Sequence, residues 1–183
     1  IQLLVIECRS DLSMRATVKL SVDPAEIAPD ASLGELLDAN HTGRLVITLD
    51  PTDREPGQAP YQGIVSLQEH RGTVIKPVSS AAEAIALYMK NSEQLDTRIW
   101  LSSNETHIGG LLLQRLPDSG GHAHLDPQVA AEGWTRIQTL GETITDEELL
   151  TLPPETILRR LFLEESTENG VRSFPPRQIR FSC

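Results

Sequence analysis

The spacing of apolar residues changes once along this chain, and this change constrains the fold more than any other feature. Before residue 117, apolar side chains recur at every second position, most clearly from Met14 to Val22. Such alternation is typical of a strand that has one face on a core. After residue 117 the spacing becomes helical, as at Ala130, Trp134 and Ile137. The sequence therefore predicts a mixed α/β body followed by a helical segment.

Local patterns place the individual elements within this plan. The strands are predicted at residues 1–6, 14–22, 44–49, 61–67, 97–102 and 110–116. Within the last of these, Leu111 to Leu113 is apolar on both faces and predicts a central strand. Three capping boxes predict helix starts, at Ser32–Glu35, Ser80–Glu83 and Thr145–Glu148. Further helices are predicted over 127–140 and from Pro154 to a stop at Asn169–Gly170.

Charge and composition exclude several classes of protein. Twenty-six acidic residues against 16 basic ones give a net charge of -10, which argues against a nucleic-acid-binding surface. The apolar runs are too short for a membrane-spanning helix, and the residues from Ile1 do not have the pattern expected of a signal peptide. Two cysteines, Cys8 and Cys183, do not make a disulfide scaffold. Because the chain opens on Ile1 inside an apolar run and closes on a cysteine, we expect a fragment.

Candidate catalytic and metal-binding residues do not form a convincing constellation. His122 and His124 are spaced for metal chelation, but their Gly-rich surroundings favour a solvated loop. Ser79 and Ser80 are explained as a helix cap, and no nucleophile elbow or nucleotide-binding fingerprint occurs. Cys8, at the end of a strand, is interpreted as a small buried or edge residue. The chain is therefore predicted not to be an enzyme.

The segment from Glu142 to Glu165 carries an unusual amount of apolar surface. Burying its large side chains gains about as much free energy as ordering its backbone costs, so the rest of the molecule must hold it in place. One interpretation is a docked helical pair that completes a core. The other is a conditional segment that exposes apolar surface when a latch is removed. The large apolar residues are Ile144, Leu149, Leu150, Leu152, Ile157, Leu158, Leu161, Phe162 and Leu163.

Five stretches together resemble one known family. They are Tyr61–Leu67, Ser92–Arg98, Gly109–Gln114, Glu142–Glu165 and Arg180–Cys183. In this order and spacing, they are similar to the 33-kDa heat-shock protein family, the redox-regulated holdase chaperones of bacteria.

The resemblance implies a division of the chain into three parts. Residues 1–117 would be an α/β core domain without its N-terminal start, 118–178 a helical linker, and 179–183 the start of a C-terminal zinc domain. The family's zinc domain holds four cysteines as C-x-C and C-x-x-C, and Cys183 matches the first of these ligands. The other three are absent from this chain, so zinc is expected in the complete protein and no intact zinc site here.

The resemblance also implies a function and a location. Oxidation of the four cysteines would form disulfide bonds, release zinc and free the linker, so that unfolding client proteins are held without ATP during heat and oxidative stress. A cytoplasmic homodimer that binds neither nucleic acid nor membrane is implied. The predicted client-binding residues form the linker stripe Leu149, Leu150, Ile157, Leu158, Leu161 and Phe162.

Two other classes remain open at this point. One is a small-molecule-binding or enzymatic α/β domain with a docked helical tail, using Glu93, His107 or the loop of His122 and His124. It predicts a deep pocket lined by convergent polar groups. The other is a structural α+β domain with a docked tail. A chaperone should instead show broad apolar surface under a removable cover.

Overall fold

The computed structural model describes residues 3–28, 30–37, 42–55, 57–71, 74–116, 126–165 and 174–182. Packing divides the chain into two compact units, residues 1–84 with 174–183 and residues 85–173. The strands are β1 (Leu3–Cys8), β2 (Ser13–Lys19), β3 (Arg44–Leu49), β4 (Tyr61–Ser66), β5 (Gln68–Arg71), β6 (Val74–Pro77), β7 (Thr97–Ser103), β8 (Ile108–Gln114) and β9 (Arg180–Phe181). The helices are α1 (Leu33–Leu37), α2 (Ala81–Ser92), α3 (Pro127–Gly141), α4 (Asp146–Thr151) and α5 (Pro154–Phe162).

The described residues of the first unit form three small sheets. In the three-stranded sheet, β2 lies in the middle, with β1 antiparallel to it and β9 parallel to it. The turn between β1 and β2 is stabilised by the Asp11 carboxylate, which accepts hydrogen bonds from the Ser13 amide at 2.9 Å and hydroxyl at 2.7 Å. The other two sheets are the antiparallel pairs β3–β4 and β5–β6.

Helix α1 lies close to the backbone that follows β6. The hydroxyl of Ser32 caps α1 by accepting from the Glu35 amide at 3.2 Å, and the Glu35 carboxylate accepts in return from the Ser32 amide at 2.8 Å. The Gly34 amide donates to the Ser79 carbonyl at 3.3 Å. The buried apolar residues of this unit are Val65, Leu67, Val78 and Ala84.

The second unit is built on a hairpin, which we define as β7 and β8 with the turn between them. Its antiparallel register pairs Thr97 with Gln114 at one end and Ser103 with Ile108 at the other. The Asn104 side chain organises the turn, because its oxygen accepts from the amides of Thr106 at 2.9 Å and His107 at 2.7 Å. This local bonding fixes the register of the two strands.

Three helices follow the hairpin in the chain. Asp126 caps α3 by accepting from the Gln128 amide at 2.7 Å, and Pro127 occupies the first turn. Thr145 and Glu148 form the complete capping box at the start of α4. Pro154 begins α5, where the missing amide hydrogen costs nothing. We call α3, α4 and α5 the helical cover.

The predicted fold class, α+β or mixed α/β, is confirmed, as are all three capping motifs as helix starts. The prediction that β8 is a central strand is wrong: it belongs to a two-stranded sheet, and Leu112 on its outer face is 55% exposed. The pair β5–β6 was not predicted, and α5 ends at Phe162. The predicted stop at Asn169–Gly170 and the division at residue 117 fall on residues outside those described, so the domain boundaries stay predictions.

Candidate functional site

The helical cover packs on one face of the hairpin through an apolar cluster. Its buried members all come from the cover and are Leu149, Ile157, Leu161 and Phe162. Half-buried apolar residues of both partners surround them: Trp100, Leu111, Leu113, Ile137, Leu140, Ile144, Leu152 and Leu158. Each buried side chain contributes roughly 1.5–3 kcal/mol to this docking as an upper estimate. The hairpin is therefore joined to the cover chiefly by apolar burial.

The period of the strands explains how the hairpin provides this surface. Alternate side chains point to opposite faces, so Trp100, Leu111 and Leu113 share the face beneath the cover. The opposite face carries Leu101, which is 52% exposed, and Leu112. Both faces of this two-stranded sheet are thus apolar, and the cover shields one of them.

A set of charged hydrogen bonds ties α5 to the start of α4. The Arg160 guanidinium donates to both oxygens of the Glu148 carboxylate, with Nη2 to Oε2 at 2.6 Å. The same Nη2 donates to the Thr143 carbonyl at 2.8 Å. These bonds from Arg160, followed by the one from the Thr145 amide, lower the pKa of Glu148 from 4.5 to about 2. Glu148 therefore caps α4 and binds α5 with the same carboxylate.

Two further polar contacts hold α3 within the second unit. The Arg136 guanidinium donates to both oxygens of Glu165, at 2.7 and 2.6 Å, and this lowers the pKa of Glu165. The Trp134 indole donates to the Asp96 carboxylate at 2.6 Å. The first contact joins α3 to the residues after α5, and the second joins α3 to the residue before β7.

The structure brings most of the predicted linker stripe together. Leu149, Ile157, Leu161 and Phe162 are buried in the cluster, and Leu158 is half-buried against them. Leu150 is half-buried but is not a member of this cluster. The packing of these residues is thus established, and their role in client binding stays a prediction.

Sequence reasoning did not assign the hairpin half of this surface residue by residue. Leu111 and Leu113 lie two residues apart within an apolar run, so a period of two places them on one face. Trp100 lies between Ile99 and Leu101, so the same period does not single it out. Ile137 and Leu140 follow the helical spacing of α3. The signals were present, but which face meets which helix depends on contacts between residues distant in sequence.

The other candidate site residues are placed differently. His107 shares a hydrogen bond with the Thr106 hydroxyl at 2.8 Å in the hairpin turn, and Glu93 accepts from the Tyr88 hydroxyl at 3.1 Å. Both bonds have sufficient local structural explanations. His122, His124 and Cys183 lie outside the described residues. Cys8 is exposed at the end of β1, which is an edge strand.

The described residues contain no cluster of metal-ligating side chains. Within the described ranges, no group of three or more histidine, cysteine, aspartate or glutamate side chains could hold a metal ion. The sequence contains only Cys8 and Cys183 as thiols, and a four-thiolate site needs two more.

Among the helices that the structure describes, none has the length and apolarity to cross a membrane.

The sequence is similar to curated proteins named 33 kDa chaperonin. The chain is 39% identical over 183 residues to the 33 kDa chaperonin of Methylobacillus flagellatus and 40% identical to that of Neisseria gonorrhoeae. Both alignments cover 100% of this chain, and 53% and 51% of those proteins. The chain thus spans about half the length of the curated relatives it matches.

The fold has a counterpart among solved structures. The crystal structure of the 33 kDa chaperonin, an Hsp33 homologue, from Thermotoga maritima superimposes with a TM-score of 0.58 at 18% identity. The match covers 98% of this chain and 55% of that one. The Hsp33 protein family model matches residues 1–183, which is the entire sequence. This chain belongs to the Hsp33 family.

Proposed function

We propose that this chain is part of a holdase chaperone whose client-binding surface is the covered face of the hairpin together with the apolar face of the cover. The observation that carries the proposal is the arrangement itself. A face formed by Trp100, Leu111 and Leu113 is shielded by helices that are contiguous in sequence and bury few residues completely. Unfolding proteins expose apolar segments, and a surface of this kind would bind them without directional chemistry.

The cover is suited to release. Its helices contain 6 residues in α4 and 9 in α5, and helices this short are not stable in water without tertiary packing. Losing the contact with the hairpin would therefore unfold them or leave them loose. Either event would expose the apolar residues of both partners at once.

Redox control is the finer part of the proposal and rests on the resemblance to the family. Cys183 would be the first of four cysteines whose oxidation frees the cover, in a cytoplasmic homodimer. Binding of an apolar dye before and after oxidation tests this in a chain that carries all four cysteines. Equal dye binding in both states would contradict redox control.

The holdase proposal is tested with a heat-denatured client protein and light scattering. Replacing Leu158 and Phe162 by Ser removes two anchors of α5 that are also part of the proposed client surface, so both the docking of the cover and the suppression of client aggregation should change at equal concentration. Leu163→Ser is the matched control, because Leu163 is 59% exposed. Aggregation curves that are the same for the double variant, the control and the parent chain would reject the proposed surface.

A competing ligand-binding or enzymatic function receives no comparable support. Glu93 and His107, its candidate residues within the described ranges, take part in local bonds of a helix end and a turn. They belong to different ends of β7 and do not form a set of convergent polar groups.

A further inference from the structure

Two glycines lie where the hairpin and the helical cover approach most closely. Gly109 is on β8, on the same face as Leu111, and the backbone of α4 passes directly over it at Leu149. Gly141 ends α3 and lies against the indole ring of Trp100. Neither glycine has the left-handed φ that would require glycine for backbone reasons. Glycine is therefore needed at these two positions because a larger side chain would not fit between the hairpin and the cover.

The two approaches differ in what a side chain would meet. A Cβ on Gly109 would overlap the carbonyl oxygen of Leu149 and lie 2.7 Å from its carbonyl carbon. Those atoms are helix backbone and cannot move without the helix. A Cβ on Gly141 would lie 2.7 Å from Cη2 of Trp100 and 2.9 Å from Cδ1 of Leu113. These are side-chain atoms, which can yield in part.

Helix α4 cannot absorb the overlap at Gly109 by a local shift. Its first turn is fixed by the Thr145–Glu148 capping box, and Glu148 is also bonded to Arg160. A methyl group under Leu149 would consequently lift α4 as a body and pull on α5. The hairpin would stay intact, since the added methyl group points toward α4 and not toward the paired strand β7, and alanine is compatible with a strand.

We infer that Gly109 is the position whose missing side chain allows the helical cover to close, with Gly141 as a second and weaker one. An alanine at residue 109 holds the cover off the hairpin, while the hairpin itself remains formed. The role of Gly109 in closing the cover does not depend on the proposed function. Only its expected effect on clients rests on that function: a chain with an open cover should suppress client aggregation without any oxidation.

The chain offers two matched controls for the same substitution. Gly110, the next residue of β8, faces the other way, and a Cβ there meets the terminal Cδ2 of Leu101 at 2.8 Å. It also lies 3.2 Å from the Trp100 carbonyl oxygen, a contact that a shift of a few tenths of an ångström relieves. Leu101 is 52% exposed and can rotate away. Gly133 lies on α3, where a Cβ would have no neighbouring atom within 4 Å and alanine favours the helix. G110A and G133A should therefore leave the cover docked.

Amide hydrogen exchange read by mass spectrometry tests the inference in the 183-residue chain. G109A should raise exchange in residues 146–151 by at least about tenfold over the parent chain, because overpacking of this kind destabilises local structure. G141A should give a smaller rise, and G110A and G133A should stay within about twofold. Amides of β7 and β8 should keep their protection in every variant.

The possible outcomes separate this inference from the proposed function. Exchange in α4 that is the same in G109A as in G110A overturns the inference, and so does lost protection throughout the hairpin. If α4 opens in G109A while client aggregation is suppressed no better, the inference stands and the proposed client surface is rejected. Raised exchange together with stronger suppression supports both.

Discussion

Arg160 on α5 donates to both carboxylate oxygens of Glu148 on α4, so one ion pair joins the two short helices of the cover. The pair is only partly shielded, with side-chain exposures of 36% and 20%. It nevertheless has a geometric role, because Arg160 also reaches the Thr143 carbonyl before α4 begins. Thr143 before α4 and Glu148 within α4 are thus bonded to one guanidinium.

Removing this guanidinium should loosen the cover. R160Q keeps a polar side chain but loses the paired donors to Glu148, so exchange in α4 and α5 should rise and apolar dye should bind more strongly. The matched control is R159Q, which removes the same charge from an exposed neighbour. Equal exchange in the two variants would show that the pair does not hold the cover.

Docking should also depend on pH in a defined window. The pKa of Glu148 is lowered from 4.5 to about 2, so its ionised form is favoured in the folded chain. Its contribution to stability is fully present above about pH 4.5 and is lost as the pH falls toward 2. Both tryptophans of the sequence, Trp100 and Trp134, lie in the second unit with Glu148, so their fluorescence can follow the acid transition.

The E148Q variant isolates this carboxylate from the others that titrate in acid. It should be less stable than the parent chain at pH 7, and the difference between the two should shrink as the pH falls from 4.5 to 2. A difference that stays constant over this range would contradict the assigned role of Glu148.

Burial along α5 should decide the effect of a single substitution. Leu161 is 3% exposed in the cluster, so L161A should lower the free energy of unfolding of this unit by about 2–5 kcal/mol. Leu163, two residues further on, is 59% exposed, and L163A should change it by less than about 0.5 kcal/mol. Urea unfolding followed by tryptophan fluorescence measures both values, and similar losses would contradict the packing described for α5.

The features that could be predicted from the sequence are those fixed by neighbouring residues. The capping box at Thr145 needs only the four residues that form it, and Pro154 marks a helix start by its own ring. The alternation over 44–49 is local in the same sense and gives β3 with its bounds. In each case the chain within a few residues contains the whole physical cause.

Features that depend on distant residues were missed or wrong. The apolar residues on both faces of β8 suggested a central strand, but one face is occupied by the helical cover and the other is exposed within this unit. The Arg160–Glu148 pair spans 12 residues and has no sequence signature. The need for glycine at residue 109 likewise appears only when α4 is in place above it.

The cover is part of the same chain as the surface it shields, and nine residues separate the end of the described hairpin region at Leu116 from Asp126. A partner on the same chain behaves as if present at a high local concentration. Dilution cannot remove it, and a client that binds the hairpin must compete with it. In the proposed holdase, proteins that offer a single weak apolar segment would lose this competition, whereas extensively unfolded proteins would win it.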